Sequence, residues 1–213
     1  SMEEEMRLIA ETLEVVCKKF PEAVISIDTY RSPVARMAVQ QYGVAMINDI
    51  SGGNIDLQMF ETIASLKVAY VLMHMRGTPK DMQEYTDYQD MVAEIVQYLS
   101  KKLAQLRLLG VHDVVIDPGF GFSKTLEQNY ELMRKLNYFK MIDAPMLVGI
   151  SRKSMIYKLL EIVPEQALNG TTALNVLALM GGASILRVHD VKEAMEAIKI
   201  FQAYKTAGTV NYK

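Results

Sequence analysis

Two sets of polar residues in this chain suit opposite ends of one ligand. Asp28, Asn48 and Asp117 each close a short apolar run. Ionised carboxylates and an amide carbonyl accept hydrogen bonds, so this set suits a neutral heterocycle rich in N–H donors. Ser151-Arg152-Lys153-Ser154 and Arg187-Val188-His189 lie later in the chain. Arginine grips phosphate or carboxylate through paired hydrogen bonds, and the stretch from Ser151 also opens a helical pattern whose free N–H groups attract anions. The residue types describe a pocket for a molecule with a donor-rich ring at one end and an anionic group at the other.

Residues this far apart meet only if the fold carries them to one rim. Six runs, 24–28, 44–48, 68–73, 114–117, 146–150 and 184–188, are short and nearly all apolar, as strands buried on both faces of a parallel sheet read. Between them lie helical patterns. Met6, Ile9, Leu13, Val16 and Phe20 recur at three- and four-residue spacing within and just past 3–19, one face of a helix. Ser32 reads as a cap with Pro33 at the first helical position. A long helix over 88–109 stops at Gly110, and further helices are expected over 57–66, 127–136, 153–160, 166–180 and 192–204. Parallel strands with helical crossovers make an α/β architecture, in which the carboxyl ends of the strands share one rim. No linker or low-complexity segment breaks the pattern, so residues 1–213 read as one domain, with a polar tail from Thr206 expected to fray. The polar stretch 76–87 reads equally as a loop over the site or as a solvated connection.

Plainer readings stand beside these. Asp28 and Asn48 suit caps or turns, and Asp117-Pro118-Gly119 suits a simple turn. His74, between two methionines, reads as a packed, hydrogen-bonded histidine, His112 as a surface residue at the far end of the sheet, and Lys124 as a solvated lysine. The 213 residues are 50% hydrophobic with 23 basic and 25 acidic side chains. That balance leaves no basic footprint for nucleic acid, and no apolar run approaches the roughly 18 residues of a membrane span. The acidic start reads as no signal peptide. The single cysteine, Cys17, fits a reducing compartment such as the cytoplasm. Zinc spacing, a nucleophile elbow, a Walker loop and a dinucleotide fingerprint are all missing from the sequence, and Lys153 as a Schiff-base lysine is a minor alternative.

Six strings in order carry a resemblance over essentially the whole chain. They are Ser26-Ile27-Asp28-Thr29-Tyr30, Asn48-Asp49-Ile50-Ser51-Gly52-Gly53, Met73-His74-Met75, Asp117-Pro118-Gly119-Phe120-Gly121-Phe122, Gly149-Ile150-Ser151-Arg152-Lys153-Ser154 and Arg187-Val188-His189-Asp190. Together they resemble the dihydropteroate synthase family, the sulfonamide-targeted transferases of folate biosynthesis. The resemblance implies a TIM (β/α)8-type barrel that condenses 6-hydroxymethyl-7,8-dihydropterin pyrophosphate with p-aminobenzoate, releasing pyrophosphate. It implies that Asp28, Asn48, Met73, Asp117, Gly149, Lys153 and Arg187 bind the pterin. Phe122, Lys153 and Ser154 would receive p-aminobenzoate, and Arg187 and His189 the pyrophosphate, so that Lys153, Arg187 and His189 form the catalytic set. It further implies use of Mg2+ and a homodimer built on the last helices.

The sequence also departs from its family. Two further strand units, with an Asn-Val-Thr-Pro-Asp-Ser-Phe-Ser type and a Ser-Thr-Arg-Pro-Gly type loop, have no counterpart here. The expectation is therefore an incomplete barrel of about six of eight strand-helix units. The pterin floor would be kept, the magnesium-linked loop absent, and catalysis by the chain alone weak or absent. The competing reading is a non-catalytic pterin-binding or regulatory protein that keeps only the floor. A corrinoid-dependent methyltransferase of the same barrel type is disfavoured by the basic residues, because methyl transfer has no pyrophosphate to hold.

Overall fold

The computed structural model describes residues 1–207; residues 208–213, where most of the expected fraying tail falls, lie outside the described residues. Six short strands alternate with helices: β1 (Ser26–Asp28), β2 (Met46–Asp49), β3 (Ala69–Met73), β4 (Val114–Asp117), β5 (Leu147–Val148) and β6 (Ile185–Leu186). The first four form one parallel sheet in chain order, and β5 pairs in parallel with β6. A parallel bridge between Ile116 and Met146 joins the two groups into one ribbon.

Side chains of a strand point alternately to opposite faces. Ile47, Tyr70, Leu72, Val114, Ile116 and Val148 face outward into the main core under the helices. Val71, Val115 and Leu147, with Met46 and Ile185, form a smaller cluster on the inner face. Stepping two residues along each strand from this inner cluster reaches Asn48, Met73, Asp117, Gly149 and Arg187. Asp28 pairs in register with Asn48, and Met73 with Asp117. The inner layer is thus apolar low in the ribbon and polar at its carboxyl rim.

Eight helices are described: α1 (Met2–Lys19), α2 (Ser32–Tyr42), α3 (Met59–Leu66), α4 (Met91–Leu108), α5 (Leu126–Arg134), α6 (Ser154–Leu160), α7 (Leu168–Gly181) and α8 (Val191–Thr206). Three local expectations need correction. Arg31, not Ser32, is the N-cap of α2, and the Ser32 N–H instead donates to Asp56 Oδ2 at 2.7 Å. The capping carboxylate comes from the neighbouring loop. α4 starts at Met91, where Asp90 accepts from the Ala93 N–H, because a good N-cap outcompetes continued helix through Tyr88 and Gln89. Past α5 the chain tightens into a 3-10 turn over Leu136–Met141 rather than ending at residue 136.

The ribbon curls. The guanidinium of Arg187, just past β6, pairs with the carboxylate of Asp28 at the end of β1. Its two ends therefore approach at the carboxyl rim, although among the described residues β1 and β6 do not pair with each other.

Candidate active site

The rim gathers the acceptor set first. Asn48 donates from Nδ2 to Asp28 Oδ1 at 2.7 Å, and Asp28 Oδ2 receives Arg187. Neither Asp28 nor Asn48 caps a helix. Asn48 is buried, and its Oδ1 has no hydrogen-bond partner. An unpartnered buried acceptor costs about 1–3 kcal/mol, and native folds keep few of them. Two strands across the sheet from Asn48, Asp117 is 5% exposed. One of its oxygens accepts from the Gly119 N–H at 2.8 Å, so the plain turn reading holds for that oxygen. Burial pushes the Asp117 carboxyl up, while the charge of Lys153, the Gly119 N–H and the charges of Lys124 and Arg187 pull it back toward the ionised form.

Lys153 stands across from Asp117. Its ammonium donates to the Phe120 carbonyl and lies 4.8 Å from the centre of the Phe122 ring. Burial holds Lys153 down at about 8, the charge of Arg187 acting in the same sense and that of Asp117 against it. Gly149 lies against Arg187, where an added Cβ would make only ordinary contact with Arg187 Cβ at 3.7 Å. Met73 is buried and closes the floor. Asp28, Asn48, Met73, Asp117, Gly149, Lys153, Arg187 and Phe122 are thereby drawn to one rim.

The remaining basic residues are arranged differently from the sequence expectation. Arg152 turns away from the rim to a two-point pair with Asp190 at 2.6 and 3.1 Å. That carboxylate lies 38 residues downstream, and it removes Arg152 from the anion-holding set. His189 is exposed, with Nδ1 2.9 Å from Ser151 Oγ. Ser154 begins α6, a helix of seven residues. Among the described residues no group of three or more His, Cys, Asp and Glu is placed to hold a metal ion.

Two residues matter more than their surroundings in the sequence suggest. His74 is packed, as expected, edge-on to Tyr98 with centroids 5.0 Å apart, and burial chiefly keeps it neutral down to about 2. Lys124 is not solvated but 3% exposed. The only hint in the sequence is its position directly after the glycine-bearing loop that follows Asp117. The 76–87 stretch carries a short 3-10 turn and is tied down. Arg76 lies 3.7 Å over the Tyr88 ring and pairs with Glu94, while Gln83 Nε2 donates to the Gly121 carbonyl at 3.1 Å. It therefore runs beside the loop that carries Phe122.

Comparison with known proteins identifies the family. Residues 1–189 match the family described as "Pterin binding enzyme". The chain is 40% identical to the dihydropteroate synthase of Escherichia coli K12 over 209 residues, covering 97% of this chain and 73% of that one. Among solved structures it is similar to the Yersinia pestis dihydropteroate synthase in complex with a sulfonamide drug, with a TM-score of 0.91 and 35% identity over 97% of this chain and 75% of that one. It is likewise similar to the Thermus thermophilus enzyme in complex with 6HMPPP, with a TM-score of 0.90 and 37% identity, covering 96% and 81% of the two chains. No described helix is long and apolar enough to cross a membrane. With a family match over residues 1–189 and 40% identity to a named relative across most of both chains, the chain belongs to the dihydropteroate synthase family of pterin-binding enzymes.

Proposed function

We propose that this chain binds 6-hydroxymethyl-7,8-dihydropterin pyrophosphate at the rim and transfers its (dihydropterin-6-yl)methylene group from pyrophosphate to the amine of p-aminobenzoate. The observation that carries this reading is the buried, unpartnered Asn48 Oδ1 on the same inner face of the rim as the buried Asp117 carboxylate. An unpartnered buried amide oxygen and a carboxylate with one oxygen committed to the Gly119 N–H suit the N–H edge of an aminopyrimidine ring. In this reading Met73 and Gly149 line the slot for the ring, Asp28 and Asn48 take its edge with Asp117, and Lys153 and Arg187 meet its opposite side.

The chemistry asks for no nucleophilic side chain. The bond from the exocyclic methylene to the pyrophosphate oxygen breaks, the ring delocalises the positive charge, and the arylamine nitrogen forms the new bond and then loses a proton. Protein groups contribute by positioning and by charge. Arg187 and His189 stabilise the departing pyrophosphate. Phe122 and Lys153 flank p-aminobenzoate, whose carboxylate meets Ser154. Within the same reading residues 1–213 act as one domain, in the cytoplasm, as a homodimer. The exposed Leu177 and Met180 of α7 and Met195 and Ile200 of α8 support a dimer face there. A non-catalytic pterin binder is not favoured, because the relatives are named as synthases.

Arg152 is committed to Asp190 and Arg187 to Asp28, so product formation by this chain is expected to be slow. The purified protein, given both substrates, is expected to release dihydropteroate above the protein-free control, read by chromatography. Pterin binding with no product would overturn the synthase reading in favour of the binder. A pH series adds a second check. Lys153 must be charged to attract an anionic ester, and its pKa lies at about 8. Affinity for the pyrophosphate ester is therefore expected to fall as pH rises through 8, and the fall to vanish in Lys153→Met; an equal fall in the variant would assign it elsewhere.

A further inference from the structure

Lys124 lies in the loop between β4 and α5, and its ammonium meets three acceptors. It donates to the Gly119 carbonyl at 2.8 Å and to the Phe122 carbonyl at 2.9 Å, and lies 3.3 Å from His74 Nδ1. As an ammonium Lys124 has three N–H donors for these partners. As a neutral amine it keeps two for the carbonyls while its lone pair can accept from a His74 Nδ1–H, so both forms can be held in the buried site. Two of these acceptors belong to the turn that follows Asp117, and the third stands at the end of β3. Ser123 fastens the same two loops. It accepts from the Arg76 N–H and donates to the Arg76 carbonyl, both at 2.8 Å, and its own carbonyl accepts from Tyr88 at 3.0 Å. The mechanism above makes no use of Lys124.

We infer that Lys124 is a positioning residue, clamping the 119–122 turn to the end of β3 so that the Asp117 carboxylate and the Phe122 ring stay fixed at the rim. What the rim binds rests on the function proposed above; the clamp itself does not. The groups facing Lys124 are His74 at the end of β3, Arg76 just beyond it, Asp117 on β4 and Lys153 beyond β5. Burial, with Lys153 and Arg76, holds Lys124 down at about 7 against the opposing pull of Asp117. Opening the clamp returns the lysine to water and its ordinary value of 10.5. The open state therefore binds the proton more tightly between pH 7 and 10.5, and the clamp tightens as pH rises through that window.

Hydrogen exchange of the unliganded full chain tests this. In the wild type, protection of residues 119–123, corrected for intrinsic exchange, is expected to rise between pH 7 and 9 by up to about tenfold per pH unit. In Lys124→Met that rise disappears and protection at pH 8 falls about tenfold. Lys124→Gln, whose amide keeps two donors without a charge, serves as the second variant and also loses the pH rise. Pterin fluorescence titrated with each protein at pH 7.5 is expected to show about tenfold weaker binding in Lys124→Met. A purely structural lysine would lower stability without moving the pH profile of one loop. Unchanged exchange in both variants, or a pH rise that persists in them, overturns the clamp. A wild type that binds no pterin overturns the proposed function instead, and the exchange arm still decides the clamp.

Discussion

Asp117→Asn is expected to weaken binding of the pterin pyrophosphate by about 10²–10³-fold while leaving the fold intact. The residue is 5% exposed and surrounded by Lys153, Lys124 and Arg187, whose charges favour its ionised form. One oxygen already serves the Gly119 N–H, and an asparagine carbonyl can take over that bond. In the proposed complex the other oxygen faces the ring as a charged acceptor. Exchanging it for an NH2 group sets donor against donor, and each buried N–H left unsatisfied costs about 1–3 kcal/mol beyond the lost charge-assisted bond. Calorimetric titration of variant and wild type measures the difference, with circular dichroism as the check on folding. Equal affinity in the two proteins would remove Asp117 from the ring-binding set.

Gly119→Ala is expected to cost about 3 kcal/mol or more in stability and to abolish pterin binding. Gly119 has φ +74, and a Cβ there would fall well inside contact distance of the His74 backbone carbonyl. The left-handed conformation alone costs an L residue about 1–2 kcal/mol. The clash adds to it, because neither side yields easily. The His74 N–H donates to the Asp117 carbonyl at 3.0 Å, so moving His74 pulls on β4 as well. Gly43→Ala is the matched control. It has φ +67 with nothing within 4 Å of the added methyl, so only the backbone penalty of about 1–2 kcal/mol applies. Urea denaturation of both variants reads the contrast, and equal losses would mean that the His74 and Gly119 backbones are not in close approach.

Much of this was legible in the sequence because it follows from periodicity. The two-residue alternation that sends Val71, Val115 and Leu147 inward also sends Met73, Asp117 and Gly149 inward one step further along. Six apolar runs ending in polar residues therefore imply a polar rim before any coordinate is known. What the sequence hid depends on partners brought together by tertiary structure. Arg152 carries the same charge whether it faces a pyrophosphate or Asp190, and nothing in its neighbours signals the pairing with Asp190. Lys124 looks like a surface lysine because two of its acceptors are backbone carbonyls, and backbone groups leave no mark in a sequence. The start of α2 is hidden for a similar reason, as the carboxylate that accepts from the Ser32 N–H is Asp56, 24 residues away.

In the proposed function the inward-facing strand tips make one hollow for the pterin ring. A crystal structure of the protein soaked with 6-hydroxymethyl-7,8-dihydropterin pyrophosphate tests it most directly. The ring is expected against Met73 and Gly149, with its N–H edge on Asp117 and Asn48 Oδ1, and the pyrophosphate toward Arg187 and His189. Density for the ring elsewhere would contradict the account, most plainly in the cleft of about 760 Å³ lined by Asn54, Arg76, Tyr98 and Lys101.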